Sequence, residues 1–354
     1  MTRRRIAVVF GGRGPEHWLS FQSGLFVLLF LDRAAYDVDA VYVRQDGGFA
    51  SADQFHAAVD QFFAENQVVL FKESDGLGDW RGLLRSSAST HSATFLAAAA
   101  RHTWDLLFPA FDGRCGEACT FQGLAEVLGL PYAGCDFQAS ALTIDNLLTK
   151  KIAADAGLAV APYREVHRDE WKAGPDEWVS SLGSALGWPM FVKSPRLGRF
   201  LGVDRADSPN ALRGALDLAF ESNYRVLVES EIRGTEYAVG VLGDGMTTQA
   251  SVIAEVGRPP LGDIVPANLS PDDSRVMVEF AQKVFQALRM RGLARVDSFW
   301  GPRGPVVHRV NTMPGLSPHS SFVQAWSQAG VPPRQLVTRI VDLAWKGPWA
   351  LSES

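Results

Sequence analysis

Cysteine is scarce. The 354-residue chain carries three, Cys115, Cys119 and Cys135. An odd, sparse set fits a reducing cytoplasm better than a disulfide framework. Cys115 and Cys119 form half of a metal-type pair, but no second pair or nearby histidine completes it. Both therefore read as small buried thiols. Excess charge is lacking too: the formal net charge of −5 argues against a nucleic-acid partner. Long apolar runs are missing. Three arginines precede Ile6–Phe10 in the manner of a leader, but the run stops at Gly11-Gly12-Arg13, too short for a signal core. The apolar stretch from Phe21 to Leu31 is interrupted by Ser23 and Gly24 and is short for a membrane span, so it reads as a buried helix. Internal repeats and low-complexity linkers are absent.

What remains is an ordinary globular composition, 47% hydrophobic and 21% charged, in a chain long enough for two or three packed lobes. Ile6–Phe10 is a buried strand that ends in a Gly-Gly turn, with a helix after Glu16. Val38–Val43 and Trp104–Pro109 read as further strands. Phe121–Leu128 reads as a helix stopped by Gly129. This βα alternation predicts an open parallel sheet. Residues 50–103 fit no single pattern. Ala139–Ala156 reads as one long helix closed by Gly157, and residues 170–187 as another. Strands are predicted at Pro189–Pro195, Arg225–Glu229 and Glu236–Leu242, and an amphipathic helix at Val276–Leu288.

Polar residues at strand ends suggest chemistry. Lys193 closes a strand and precedes a loop bounded by Gly198 and Gly202. That arrangement can place an ammonium and backbone N–H groups around a triphosphate. Val226–Glu229, then Ile232 and Glu236, supply an edge for a base and a carboxylate for ribose hydroxyls. Two alternating strands bring Arg295-Val296-Asp297 beside His308-Arg309-Val310-Asn311. The segment Thr312-Met313-Pro314-Gly315 follows, then the hydroxyl-bearing Ser317 and Ser320.

These motifs, in this order and spacing, resemble the D-alanine–D-alanine ligases of the ATP-grasp superfamily. Phe10-Gly11-Gly12-Arg13 with Glu16-His17 and Ser20 matches near the start. Gly116-Glu117 with Thr120, Gln122-Gly123 and Gly134 matches in the middle. The resemblance covers nearly the whole chain. It implies a mixed α/β and α+β ATP-grasp fold, an N-terminal open parallel sheet followed by two α+β lobes. The lobes would be an N-terminal domain over 1–135, a central lid over 136–228 and a catalytic lobe over 229–354. It implies ATP and Mg2+ as cofactors, small amino-acid substrates, no membrane partner, a homodimer and a cytoplasmic place in peptidoglycan biosynthesis. By the same resemblance Glu16 holds the first amino group, Arg295 a substrate carboxylate, the backbone at Gly315 an oxyanion, and Ser320 the second substrate. Lys193, Arg199, Glu229 and Glu236 would bind the nucleotide. Asp297 and Asn311 would be metal ligands, which suits the oxygen preference of magnesium.

The chain departs from the family pattern around this one pocket. Asp145-Asn146 stands where the family has an Asp-Lys pair. Lys150, one helical turn on, reads first as an ordinary helix lysine, with an inward reach as the alternative. Arg199-Phe200 replaces two small hydroxyl residues, and Asp112 replaces a histidine. The closing loop between Glu255 and Pro266 is short and has neither lysine nor tyrosine. Arg309 stands where the family carries a magnesium-holding glutamate, and a guanidinium offers no lone pair to a metal. On an unbroken strand His308 faces away from Arg309 and Asn311 and enters the site only through a bulge. Three readings stay open: a repurposed ATP-dependent ligase, a non-catalytic pseudo-ligase, and ordinary D-alanine ligation through an unusual site. Arg309 paired to Asp297 would favour the second.

Overall fold

The computed structural model describes residues 3–50, 89–90, 96–97, 99, 101, 103–113, 116, 118–194, 203–257 and 262–347. The stretch 51–88, Cys115, Glu117 and the 195–202 loop with Arg199 and Phe200 lie outside the described residues. Expectations made for them stop there.

Strand β1 (Arg4–Gly11) pairs in parallel with β2 (Tyr36–Val43) and with β5 (Leu106–Pro109). The short β3 (Phe49–Ala50) and β4 (Ser89–Thr90) extend the edge antiparallel. Ile6 through Phe10 are fully buried because the sheet is covered on both faces. Alternation sends Ile6, Val8 and Phe10 into one core and Ala7 and Val9 into another. Helix α1 (His17–Phe30) packs on the first face. A Cβ at Gly24 would sit 2.2 Å from the Phe10 ring, so glycine sets this close helix–strand approach. Helix α2 (Thr120–Leu128) packs on the second face and ends at Gly129, whose φ of +65° is left-handed.

The long helix expected over Ala139–Ala156 is two helices, α3 (Phe137–Thr143) and α4 (Asn146–Asp155). Asp145 breaks them apart: its carboxylate accepts from the N–H groups of Leu147 and Leu148 and starts α4 afresh. Residues 168–186 likewise split into α5 (Arg168–Ala173) and α6 (Pro175–Leu186). Gly174 interrupts, and Pro175 begins the new helix, where its missing N–H costs nothing.

The central lobe is a four-stranded antiparallel sheet in the order β6 (Tyr163–His167), β9 (Arg225–Ser230), β7 (Met190–Lys193), β8 (Val203–Ala206). Helices α5, α6 and α7 (Pro209–Ser222) cover one face of it. The third lobe is another antiparallel sheet, ordered β11 (Thr248–Glu255), β10 (Glu236–Gly243), β12 (Gly292–Gly301), β13 (Gly304–Asn311). Helix α8 (Pro271–Ala287) packs on it; Ser270 caps α8 and starts it five residues before Val276.

Packing also crosses between the lobes. Cys135, Ala139 and Ala153 belong to the third lobe's core, so α3 and α4 are not part of the lid's core. Helices α9 (Ser321–Gln328) and α10 (Pro333–Trp345) pack through Phe322, Trp326 and Leu336 into the N-terminal core. Apolar faces left open by one lobe are thus buried against the next. Among the described residues no helix is long and apolar enough to cross a membrane.

Candidate active site

A cavity of about 420 Å3 opens where the central and third lobes meet. Phe191, Lys193 and Val203 line it from one sheet, Glu229 and Ile232 from the strand end beside it, and Phe299 and His308 from the other sheet. Lys193 closes β7 and is 8% exposed. Its ammonium contacts Glu229 Oε1. Lys150, on α4, reaches the same carboxylate, with Nζ 2.8 Å from Oε2. Lys150 is therefore not an ordinary surface lysine. It is 1% exposed, with its ammonium on the Glu229 carboxylate that lines the cavity. Its ammonium is in ionic contact with Oε2 but lacks hydrogen-bond alignment, as does Oε2 itself.

Burial alone would raise the pKa of Glu229. The charges of Lys193 and Lys150 outweigh it and hold the carboxyl at about 2. Burial lowers the pKa of Lys150, and the attraction of Glu229 offsets only part of this. The result is a buried cationic pair sharing one anion, with room for more negative charge.

His308 enters the cavity through a β-bulge. Asp297 pairs with Arg309, while the next residue, Ser298, pairs with Val307, leaving His308 as the extra residue. This bulge is the break in alternation on which any entry of His308 depends. Its ring meets Phe299 edge-on at 4.8 Å, and Nε2 lies 4.0 Å from Glu236 Oε1. Burial, then the charge of Lys193, pushes its pKa down to about 3, so the imidazole is neutral. Its Nδ1 is buried without a hydrogen-bond partner. Apolar walls with three buried, imperfectly satisfied polar atoms (Lys150 Nζ, Glu229 Oε2, His308 Nδ1) fit a nucleotide.

The metal face is different. Asp297 is fully buried. It accepts from Arg295 Nε at 2.7 Å and Nη2 at 2.8 Å, and from Arg309 Nε at 3.2 Å and Nη2 at 2.8 Å. A carboxylate offers about four lone-pair sites, and four N–H groups already reach this one. Burial disfavours the charge of Arg295, but Asp297 outweighs it and raises the arginine's pKa. Asn311 Oδ1 accepts the Met313 N–H at 2.8 Å, which shapes the turn before Pro314. Among the described residues no group of three or more histidine, cysteine or acidic side chains is placed to hold a metal. A dication ~4 Å from one guanidinium is repelled by roughly 8 kcal/mol at an effective dielectric of about 20. The residues present do not fit a magnesium pair.

The remaining expected residues gather at the N-terminal lobe. Glu16 precedes α1 and lies against Gly113, where a Cβ would come within 2.5 Å of its Cδ. Gly113 has φ +70°, so both its backbone and the space suit glycine. Gly315 lies against Asp112, whose carboxylate accepts from the Ser23 hydroxyl. Ser23 Oγ in turn accepts the Leu316 N–H at 2.9 Å, tying α1 to the Pro-Gly turn. Ser320 caps α9, accepting from the Val323 N–H. Lys193 and Glu229 thus line one cavity with His308, while Lys150 contacts Glu229 and Glu236 lies beside His308. Asp297, Arg295, Asn311 and Arg309 form the adjoining wall, and Glu16, Gly315 and Ser320 stand apart from both. Glu255 and Ile264 exchange both backbone hydrogen bonds. Of the cysteines, Cys135 is buried, whereas Cys119 is only half-buried.

Two antiparallel α+β lobes that close on a lysine-lined cleft, behind a parallel α/β lobe, define the ATP-grasp class of ligases. Family models for the D-ala D-ala ligase N-terminus and C-terminus match residues 5–135, and 152–259 with 262–342. The chain is 31% identical to a D-alanine--D-alanine ligase of Geobacillus thermodenitrificans, over 97% of this chain and 95% of the relative. It is 33% identical to the Chlorobium limicola enzyme of the same name, over 99% of both. The solved D-alanine-D-alanine ligase of Coxiella burnetii superposes with a TM-score of 0.78 at 25% identity, covering 100% of this chain and 97% of that one. The VanG D-Ala:D-Ser ligase of Enterococcus faecalis has the same fold, with a TM-score of 0.78 at 23% identity over 97% and 100%. The chain belongs to the D-alanine–D-alanine ligase family, whose members use ATP and Mg2+.

Proposed function

We propose that the protein is an ATP-dependent carboxylate–amine ligase of the D-alanine–D-alanine ligase type, acting on small amino acids with a changed metal face and lowered turnover. The observation that carries this reading is the pair Lys150 and Lys193, buried together on Glu229, with Lys193 and Glu229 lining a nucleotide-sized cavity. A carboxylate is a poor electrophile, and ATP supplies the phosphoryl group that makes it a good one. The lysines offset charge on the phosphates, and Phe191 and Phe299 present apolar walls to a base. Glu16 is suited to an ammonium group beside Gly113. The Gly315 backbone is suited to an oxyanion, and Ser320 to the second substrate. Arg295 meets a substrate carboxylate only by sharing its guanidinium with Asp297. Family resemblance supports a homodimer, which light scattering on the purified chain would test.

A second reading, a non-catalytic member that keeps the nucleotide pocket, is favoured by one observation: Arg309 occupies Asp297. Phosphate release across an amino-acid panel that includes D-alanine separates the two. Release that depends on an amino acid, with a dipeptide found by mass spectrometry, supports ligation. Nucleotide binding with no release under any amino acid rejects it in favour of the second reading.

A further inference from the structure

We infer that this chain grips nucleotide phosphates with lysine and arginine alone, so that nucleotide binding needs no divalent cation. The inference rests on the nucleotide-binding reading above and concerns how that same cavity handles charge.

Three observations support it. Asp297, the carboxylate best placed to hold a cation, accepts four N–H groups from Arg295 and Arg309, one on Oδ1 and three on Oδ2. A metal would have to displace a guanidinium to reach it. Second, Arg309 spends Nε and Nη2 on Asp297, and its Nη1 has no partner among the described residues. The side chain is 16% exposed, against 7% for Arg295, so Arg309 is the one that a ligand can reach. Third, the β-bulge leaves His308, which lines the cavity, next to Arg309 in the strand, and the charges of Lys193, Arg309 and Lys150 act on the His308 ring while Glu229 opposes them. Lys150, Lys193 and Arg309 thus act on this end of the cavity, against buried Glu229 and the Asp297 that Arg309 already holds. Glu236, 4.0 Å from the far ring nitrogen of His308, is a further acid, and Glu231 and Arg233 also line the cavity.

The electrostatics favour an anion over a cation at this end. A triphosphate brought beside Lys150, Lys193 and Arg309 meets positive charge in a poorly hydrated space, where charge-assisted hydrogen bonds are strong. Magnesium brought to the same place meets a carboxylate already engaged by two guanidiniums. Arg309 takes over the charge neutralisation that a metal would give, at the strand position facing Asp297.

The test is isothermal titration of the full chain with ATP, in magnesium and in EDTA. The expected result is binding in both, with dissociation constants within about threefold. Binding that weakens tenfold or more in EDTA, about 1.4 kcal/mol, overturns the inference and leaves the ligase reading standing. Binding in neither condition overturns both. Arg309→Glu is expected to weaken binding about tenfold in EDTA and to recover it when magnesium is added. Arg309→Lys keeps the charge and guards against a folding defect. It is expected to hold metal-free affinity within about fivefold. Wild-type affinity in EDTA for Arg309→Glu would remove Arg309 from the phosphate site and overturn the inference. Metal-free binding without any ligation product would sink the ligase reading and support this one.

Discussion

Arg309 and Asp297 are cross-strand partners on β13 and β12, and the arginine Nη2 lies 2.8 Å from the carboxylate Oδ2. Arg295 binds the same carboxylate from its own strand. One buried anion therefore holds two guanidiniums. Removing it leaves two arginines uncompensated. Asp297→Ala is expected to destabilise the fold by about 3–5 kcal/mol, the usual penalty for breaking a buried ion pair from one side. Replacing all three charges, as in Arg295→Met, Asp297→Leu, Arg309→Leu, is expected to cost far less. Urea midpoints of the two variants check this. Equal losses would mean that the charges are well solvated and that the ion triad is not a buried unit.

Acid should attack the nucleotide cavity early. The folded-state pKa of Glu229 is about 2 against an ordinary 4.5, and that of His308 about 3 against 6.5. In both cases the unfolded chain takes up a proton at a pH where the folded chain does not. Stability is complete above the unfolded pKa and falls as pH drops toward the folded one. The His308 contribution is lost from about pH 6.5 downward and that of Glu229 from about 4.5 downward. A His308→Leu variant should lose less stability than wild type between pH 7 and 5. Parallel acid limbs for the two proteins would show that His308 titrates normally.

The strands of this site were legible in the sequence, and the details that decide its chemistry were not. Ile6–Phe10 announced itself as a buried strand because an apolar run on a doubly covered sheet has no polar face to alternate with. The two strands bearing Asp297 and Asn311 were legible because polar residues stood at fixed steps in apolar surroundings. His308 was hidden by the same logic. Alternation is valid only while the ladder is regular, and the bulge depends on pairing with Ser298 and Asp297, which no spacing records. The histidine itself, next to Arg309 in a metal-face strand, was the signal available. Lys150 was ambiguous because α4 is buried against other lobes, and periodicity cannot say which face meets the cleft. The break before α4 carries no glycine or proline. It comes from one side chain, Asp145, choosing to cap rather than continue.

Gly113 should control substrate binding more than stability. A Cβ there would come 2.5 Å from Glu16 Cδ and 2.6 Å from Oε2, and the backbone is left-handed. Gly113→Ala is expected to push the Glu16 carboxylate aside and to raise the KM for the first amino acid about tenfold, with a backbone cost of about 1 kcal/mol. ATP affinity should be unchanged, because Glu16 stands apart from the nucleotide cavity. Steady-state kinetics with ATP and amino acid varied in turn separate the two effects. An equal loss of affinity for both ligands would point to general distortion of the lobe.

Lys150 offers the sharpest test of the cavity itself. It shares Glu229 with Lys193, and the two lysines differ in setting: Lys150 is almost wholly buried on a helix, and Lys193 ends a strand at the rim. Lys150→Met keeps the length of the aliphatic stem and deletes the charge. If the lysine only props up Glu229, Lys193 still neutralises that carboxylate, and ATP affinity should change less than about threefold. If its ammonium serves the phosphates, the buried Glu229 charge is left with one partner and nucleotide loses a charge-assisted contact. Affinity should then fall about tenfold or more. The second outcome is expected, because Nζ already lacks an aligned hydrogen bond in the protein and is drawn toward a better acceptor. Lys150→Arg should restore little of the loss, since a planar fork does not fit a space shaped around a single ammonium nitrogen.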